Sequence, residues 1–501
     1  MSDTAHEYGK NRFWEIVPGA LVWLTFILAF VFSFIAPVYV VVFIIVFDLY
    51  WLFRVLYFII FLLYAWRNYK KTVRVNWLEK IKTLDKANDI YHLVFLPTYK
   101  EGMDVIKPTF ESLRGSDYPN GKMIIAFGGE EKDKENFLKH AQEIQKEYTG
   151  VFKKIIIIVH PSGLPGEIPG KGSNLNWMGQ KVAKILETEF PEIADENIVV
   201  SSFDIDTIAH PQYFAYLTYL YCTVKDPTRS SYQPVALFAN NIWTAQAPVR
   251  ISAFGTTFWL LGELSRPERL WTFSSHSMPW KMLKDVGFWQ RDIVSEDSRI
   301  FLQGFLHYHG DYRVTPMFMP VSLDTVTGDN YFQAMKALYK QQRRWAWGVE
   351  HLPVMVEHFK NDPQISFRKK AKYLFNHIEG MYTWATAPLL IFVLGWLPLW
   401  AASDPEALVQ AAPFTLEQIM RVATIGVFVS GILSLTLLPP RPKTTRWTTW
   451  FIMIIQWALL PITFIVFGAF PAIDAQTRLM IGKYLGFNVT KKSRVKSLGD
   501  L

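Results

Sequence analysis

The feature that most constrains this chain is an apolar run over residues 16–66 that carries almost no charge until its end. A helical crossing of the hydrocarbon core takes roughly 20 residues, so the run is long enough for two. Pro37 is the natural turn between them. A cleaved signal peptide has an apolar core of only about 7–15 residues, so a permanent transmembrane hairpin behind a cytosolic tail, residues 1–15, is expected. Asp48 and Arg54 fall inside the second crossing. A charge at that depth points to function by default, and a mutual pair facing other helices is the plainer alternative.

Apolar runs return at 381–401, 419–438 and 450–470, giving a C-terminal group of transmembrane segments over 381–470. Half of the 501 residues are hydrophobic and 16% are aromatic, a content that suits both bilayer interfaces and sugar sites. The net charge of +8 gathers beside the apolar runs, at Arg67, Lys70, Lys71 and Arg74 and again at Arg368, Lys369, Lys370 and Lys372. That placement fits cytoplasmic anchoring at an anionic leaflet and argues against nucleic acid as a partner. Cys222 is the only cysteine, which excludes an intrachain disulfide and a cysteine-cluster zinc site. His276, His307 and His309 read as packing or sugar contacts.

Between the apolar ends, residues 88–363 have the composition of a soluble domain. Short β-rich runs at 91–96, 123–127, 154–159 and 198–203 alternate with helical stretches such as 132–148 and 175–188. This alternation predicts a parallel sheet covered by helices, with ligands at the carboxyl ends of the strands.

Three segments carry chemistry. Asp204 and Asp206 follow the fourth strand run, and residues two apart on an extended chain point the same way. Two such carboxylates with a diphosphate form a site for a hard cation, although the same triplet is common in surface loops. Glu296 and Asp297 follow Ser295; a carboxylate here can take the proton of an attacking hydroxyl, or the trio is simply a helix start. Gln341, Arg344, Trp345 and Gly348 share one helical face, offering a forked phosphate donor and a flat ring, or an interfacial anchor.

Taken in order, Asp204-x-Asp206, Glu296-Asp297 and Gln341-x-x-Arg344-Trp345 resemble the D-x-D, T/S-E-D and Q-x-x-R-W signatures of processive glycosyltransferase family 2, which includes bacterial cellulose synthase and hyaluronan synthase. Pro97-Thr98-Tyr99-Lys100-Glu101 is similar to the P-T-Y-N-E opening of that family, and Lys171-Gly172-Ser173-Asn174-Leu175-Asn176 to its K-x-G-x-x-N donor-side segment. The resemblance implies an α/β GT-A (Rossmann-like) cytosolic glycosyltransferase domain embedded between α-helical transmembrane segments of a plasma or inner membrane. It implies a metal-dependent, inverting hexosyltransferase working with Mg²⁺ or Mn²⁺. Asp204 and Asp206 would hold the metal and the UDP, with Pro97, Thr98, Glu101, Lys171, Asn174, Gln341 and Arg344 also on the donor side. Asp297 would be the general base, beside Glu296, and Trp345 would line the acceptor site.

Two departures are visible. Gly128-Gly129-Glu130-Glu131 stands where relatives carry an aspartate against the base, so Glu130 or Glu131 takes that place. Trp271-Thr272-Phe273-Ser274-Ser275 stands at the F-F-C-G-S acceptor segment, which nominates Ser274 and Ser275 as acceptor contacts. Near the end, Phe487-Asn488-Val489-Thr490-Lys491-Lys492 is similar to the F-x-V-T-x-K gating loop of cellulose synthase, a basic tail on the membrane surface being the alternative. A gating role needs a cytosolic tail, so Pro461 is expected to interrupt residues 450–470, with residues 475–485 as an amphipathic surface helix and the tail over 471–501. The expected reaction is growth of a β-linked polysaccharide from a UDP-sugar, UDP-glucose being the leading candidate. The rivals are single addition to a lipid of the inner leaflet, as in ceramide glucosyltransferases, and a transporter or scaffold with a degenerate transferase domain.

Overall fold

The computed structural model describes residues 8–401, 431–443 and 445–486, together with 417, 421, 426 and 429. Its centre is an eight-stranded sheet: β1 (Tyr91–Pro97), β2 (Met123–Glu130), β3 (Lys154–His160), β4 (Ile198–Ser202), β5 (Ile208–Ala209), β6 (Ser230–Leu237), β7 (His276–Pro279) and β8 (Arg313–Ser322). The order is β3-β2-β1-β4-β7-β6-β8-β5. β1 is parallel to both β2 and β4, and β2 to β3. The expected all-parallel sheet is therefore half of the answer. β7 runs antiparallel between β4 and β6, and β5 antiparallel to β8, making the sheet mixed.

The parallel half forms because its strands are apolar on both faces and helices cover each. Leu93 and Phe95 of β1, with Ile124 and Ala126 of β2, enter one core. Their alternates Val94, Leu96, Ile125 and Phe127 enter the other. The helices Met103–Arg114, Lys134–Glu147 and Lys171–Glu189 make the crossovers. From β1 the chain first builds outward through β2 and β3, then returns to place β4 on the other side. That reversal opens a crevice at the carboxyl ends of β1 and β4.

The hairpin is formed by helices Arg12–Ile35 and Pro37–Thr72, with Pro37 in the first turn of the second, where its missing N–H leaves no bond unmade. Large side chains such as Phe34, Ile35, Phe53 and Ile60 stand exposed along it, the surface a lipid contact requires. The mutual pairing expected for Asp48 and Arg54 does not occur. Arg54 Nη1 instead meets Glu379 Oε1 at 2.6 Å, on the helix Phe367–Phe392, and the Tyr50 hydroxyl donates to the same oxygen. The sequence could not show a partner more than 300 residues away.

The run expected at 381–401 is divided among the end of Phe367–Phe392, a turn at Leu394–Trp396 and a short helix Leu397–Ala401. Just before Pro461 the α-helix Thr449–Ile455 gives way to a 3-10 turn at Gln456–Leu459, and it resumes as Leu460–Phe464 with the proline in its first turn. Helical structure continues to Met480, and among the described residues Thr449–Met480 joins the two hairpin helices as the three that are long and apolar enough to cross a membrane. Ala475 and Leu479 near its end are buried with Val22 of the first helix. Residues 402–416, and nine of the twenty in the run expected at 419–438, lie outside the described residues.

Candidate active site

The strand ends, the helix starts and the apolar helices share one cavity of about 1240 Å³. Its sheet end is lined by Pro97, Thr98 and Glu101 after β1, Glu130 at the end of β2, and Asp204 and Asp206 after β4. Glu296, Asp297, Gln341, Arg344 and Trp345 line the same space, so the distant motifs meet.

Lys171 is the hub. It opens the helix Lys171–Glu189, and its ammonium lies 2.7 Å from Asp204 Oδ1, 2.9 Å from Asp297 Oδ1 and 3.8 Å from Glu296 Oε1. Burial alone would push this ammonium down, but Asp204, then Asp297 and Glu296, outweigh it and hold the group above its ordinary range. Burial, then the neighbouring Asp297 carboxylate, pushes Glu296 above the usual carboxylate range, with Lys171 and Arg344 offsetting part of the rise. Gly172 lets its helix meet the helix Glu296–His307: a Cβ there would lie 2.9 Å from the Gln290 carbonyl oxygen and 3.1 Å from Glu296 Cβ.

Asp204 also accepts from the Ser274 hydroxyl at 2.6 Å, so Ser274, expected on the acceptor, braces the acidic pair. Ser275 is fully buried, bonded to Thr207 at 2.8 Å, and does not line the cavity. The expectation that it contacts the acceptor is corrected by its burial. Asp206 Oδ2 accepts the Asp324 backbone N–H at 2.8 Å. Asp324 lines the cavity and is held by Asn240 at 2.8 Å. Sequence reasoning missed Asp324 because it follows β8, a strand containing Pro316 and Pro320 that does not read as one.

Asp204 and Asp206 are hard oxygen donors suited to Mg²⁺ or Mn²⁺. Among the described residues no group of three or more His, Cys, Asp or Glu side chains is placed to hold a metal ion.

At the other end of the cleft, Glu130 accepts from His160 Nδ1 at 2.9 Å and Asn174 Nδ2 at 2.8 Å. His160 Nε2 meets Glu167 at 3.0 Å. Burial would lower the His160 imidazole, but Glu130 and Glu167 more than compensate, and the ring sits above its ordinary range. Glu131 is occupied by Ser162 and does not line the cavity, so of the two candidates only Glu130 lines it. His276 on β7 lies 4.0 Å from Asp297, bonded to the Phe273 carbonyl at 2.7 Å, and burial lowers it to about 4. Thr98 and the Tyr99 N–H hold Glu101, at 2.7 and 2.6 Å. Phe487, Val489, Thr490 and Lys492 lie outside the described residues.

A crevice at a strand-order reversal, with acidic residues just beyond β4, defines a GT-A-like glycosyltransferase domain, Rossmann-like in its parallel half. The model of the family described as Glycosyl transferase family group 2 matches residues 199–469, more than half of the chain, and the chain belongs to that family. Helices apolar enough to span a membrane flank this domain.

No curated protein matches the sequence. Among solved structures, a mannosyltransferase from Pyrobaculum calidifontis with GDP-Man and Mn²⁺ is 15% identical at TM-score 0.40, covering 84% of this chain and 98% of its own. S. aureus TarS with UDP-GlcNAc is 11% identical at TM-score 0.38, covering 79% and 93%. Glucosyl-3-phosphoglycerate synthase from Mycobacterium tuberculosis, with Mn²⁺, UDP and phosphoglyceric acid, is 14% identical at TM-score 0.31, covering 54% and 80%.

Proposed function

We propose that the protein is a membrane-embedded, inverting, metal-dependent hexosyltransferase that moves a sugar from a UDP-sugar, UDP-glucose being the leading candidate, onto a growing β-linked polysaccharide. The observation that carries this reading is the single cavity running from Asp204 and Asp206, past Asp297 and Trp345, to Trp51, Trp384 and Trp457 among the apolar helices. An acceptor in that cavity has its reacting end at the strand ends and its body among aromatic faces, which suit sugar rings.

In this reading Asp204 and Asp206 hold Mg²⁺ or Mn²⁺, which supplies neutralisation of the charge on the departing diphosphate. Arg344 and Gln341 contact that diphosphate from their helix, and Glu130 faces the base. Asp297 takes the proton from the acceptor hydroxyl as its oxygen attacks the anomeric carbon. The bond from that carbon to the nucleotide breaks on the opposite face, so the configuration inverts. Lys171 restrains the Asp297 carboxylate, and Trp345 supports the acceptor ring.

Asp297→Asn tests the base. Donor binding should stay within about twofold while transfer falls by at least 10²-fold, the size general-base removal commands. Transfer by Asp297→Asn at the native rate would overturn the assignment. A second reading, single addition to a lipid, is favoured by Phe58, Phe392, Phe464 and Phe467 in the upper lining. Product length on a gel after incubation with labelled UDP-sugar separates the two.

A further inference from the structure

Glu350 is completely buried yet does not line the cavity. It ends the turn Trp347–Glu350, which follows the helix Tyr331–Ala346 that carries Gln341, Arg344 and Trp345. Four donors converge on its carboxylate. Oε1 accepts the Ser295 backbone N–H at 3.1 Å and the Ser295 hydroxyl. Oε2 accepts the Tyr8 hydroxyl at 2.5 Å and Trp347 Nε1 at 3.0 Å. A buried carboxylate is tolerated only when its oxygens are satisfied in this way, so the arrangement is specific.

Ser295 occupies the N-cap position of the helix Glu296–His307. A serine there ordinarily turns its oxygen onto the free N–H groups of the first turn. Here it makes no such bond and donates to Glu350 instead. The start of the helix bearing Asp297 is therefore oriented by a residue on the segment that bears Trp345. Tyr8 stacks on Tyr484 with ring centres 4.2 Å apart, bringing both ends of the described chain to the same joint.

We propose that Glu350 is a positioning residue that fixes Asp297 relative to the acceptor shelf at Trp345, acting through Ser295. This inference rests on the assignment of Asp297 as the base. Loosening the joint moves Asp297 with respect to the acceptor hydroxyl while leaving Lys171, Asp204 and Asp206 in place. Transfer then slows, donor binding persists, and water takes a larger share of the donor.

The test compares Glu350→Gln, Ser295→Ala and Tyr8→Phe in the full chain, measuring transfer, donor hydrolysis without transfer, and folded fraction. A misplacement of about 1 Å costs on the order of 10²-fold. Glu350→Gln should therefore lower kcat by about 10- to 100-fold, with donor KM within about twofold and a raised ratio of hydrolysis to transfer. Ser295→Ala should give the same split, and the double variant should be no worse than Glu350→Gln alone, because both break one linkage. Tyr8→Phe, which removes one donor of four, should show the split in weaker form. If Glu350→Gln does not fold, the split in Ser295→Ala and Tyr8→Phe decides. Native kcat and hydrolysis ratio per folded molecule in these variants would overturn the proposal. Asp297→Asn runs alongside: full activity there removes the base assignment, whereas an inactive Asp297→Asn beside a normal Glu350→Gln removes only the role of Glu350.

Discussion

Lys171 balances three carboxylates that come from two separate stretches of chain. Removing one partner from a buried charged cluster leaves the others uncompensated, which costs about 3–5 kcal/mol. Lys171→Met should therefore lower the unfolding midpoint by several degrees. Its effect on the pH profile has a definite sign. Burial and Asp297 already push Glu296 upward, and Lys171 offsets part of that rise. Without the ammonium the cluster takes up a proton at higher pH. The reaction needs an ionised base, so the acid limb of the rate profile should move to higher pH in Lys171→Met. An acid limb unchanged from the native protein would show that Lys171 does not set the charge of the cluster. The side chain of Lys171 is the same length as any lysine's. Its effect comes from opening a helix that Gly172 allows to pack directly on Glu296.

Among the elements, the pair between Arg54 and Glu379 joins the second hairpin helix to the helix Phe367–Phe392. Arg54→Met should destabilise the protein by about 3 kcal/mol, since it strands a carboxylate that is largely buried. Arg54→Met with Glu379→Leu should recover most of that loss. A double variant less stable than the single, in thermal unfolding of the detergent-solubilised protein, would show that the ion pair is not the linkage. This contact also marks where sequence reasoning stopped. Strands β1 to β4 were legible because each is a short apolar run bounded by helical pattern, a local signal. β6 carries Gln233 and Pro234, and β7 is only His276–Pro279. Their strand state comes from neighbours distant in sequence, so nothing local announces it. The same distinction runs through the site. Asp204, Asp206, Asp297 and Trp345 were named because their motifs, taken in order, resemble a family's signatures. Asp324, Glu167 and Glu350 were not, because only folding gives them partners.

In the whole molecule, one cavity passes from polar sheet ends to apolar helices, and Gly380 stands on its wall. A Cβ built at Gly380 meets nothing within 4 Å, so the position faces open space. Gly380→Phe should therefore fold, and replacing a helical glycine removes a backbone penalty of about 1 kcal/mol. Its ring would occupy the passage between the acidic cluster and the apolar helices. If the acceptor extends through that passage, the substitution should stop products at short length while a short soluble acceptor is still glycosylated at a rate near native. Chains of native length from Gly380→Phe would show that the product leaves by another route, and the aromatic upper lining would then serve packing alone. An equal loss with short and long acceptors would place the obstruction at the reacting end, close to Trp345. The two outcomes separate a cavity that guides the acceptor from one that merely adjoins it.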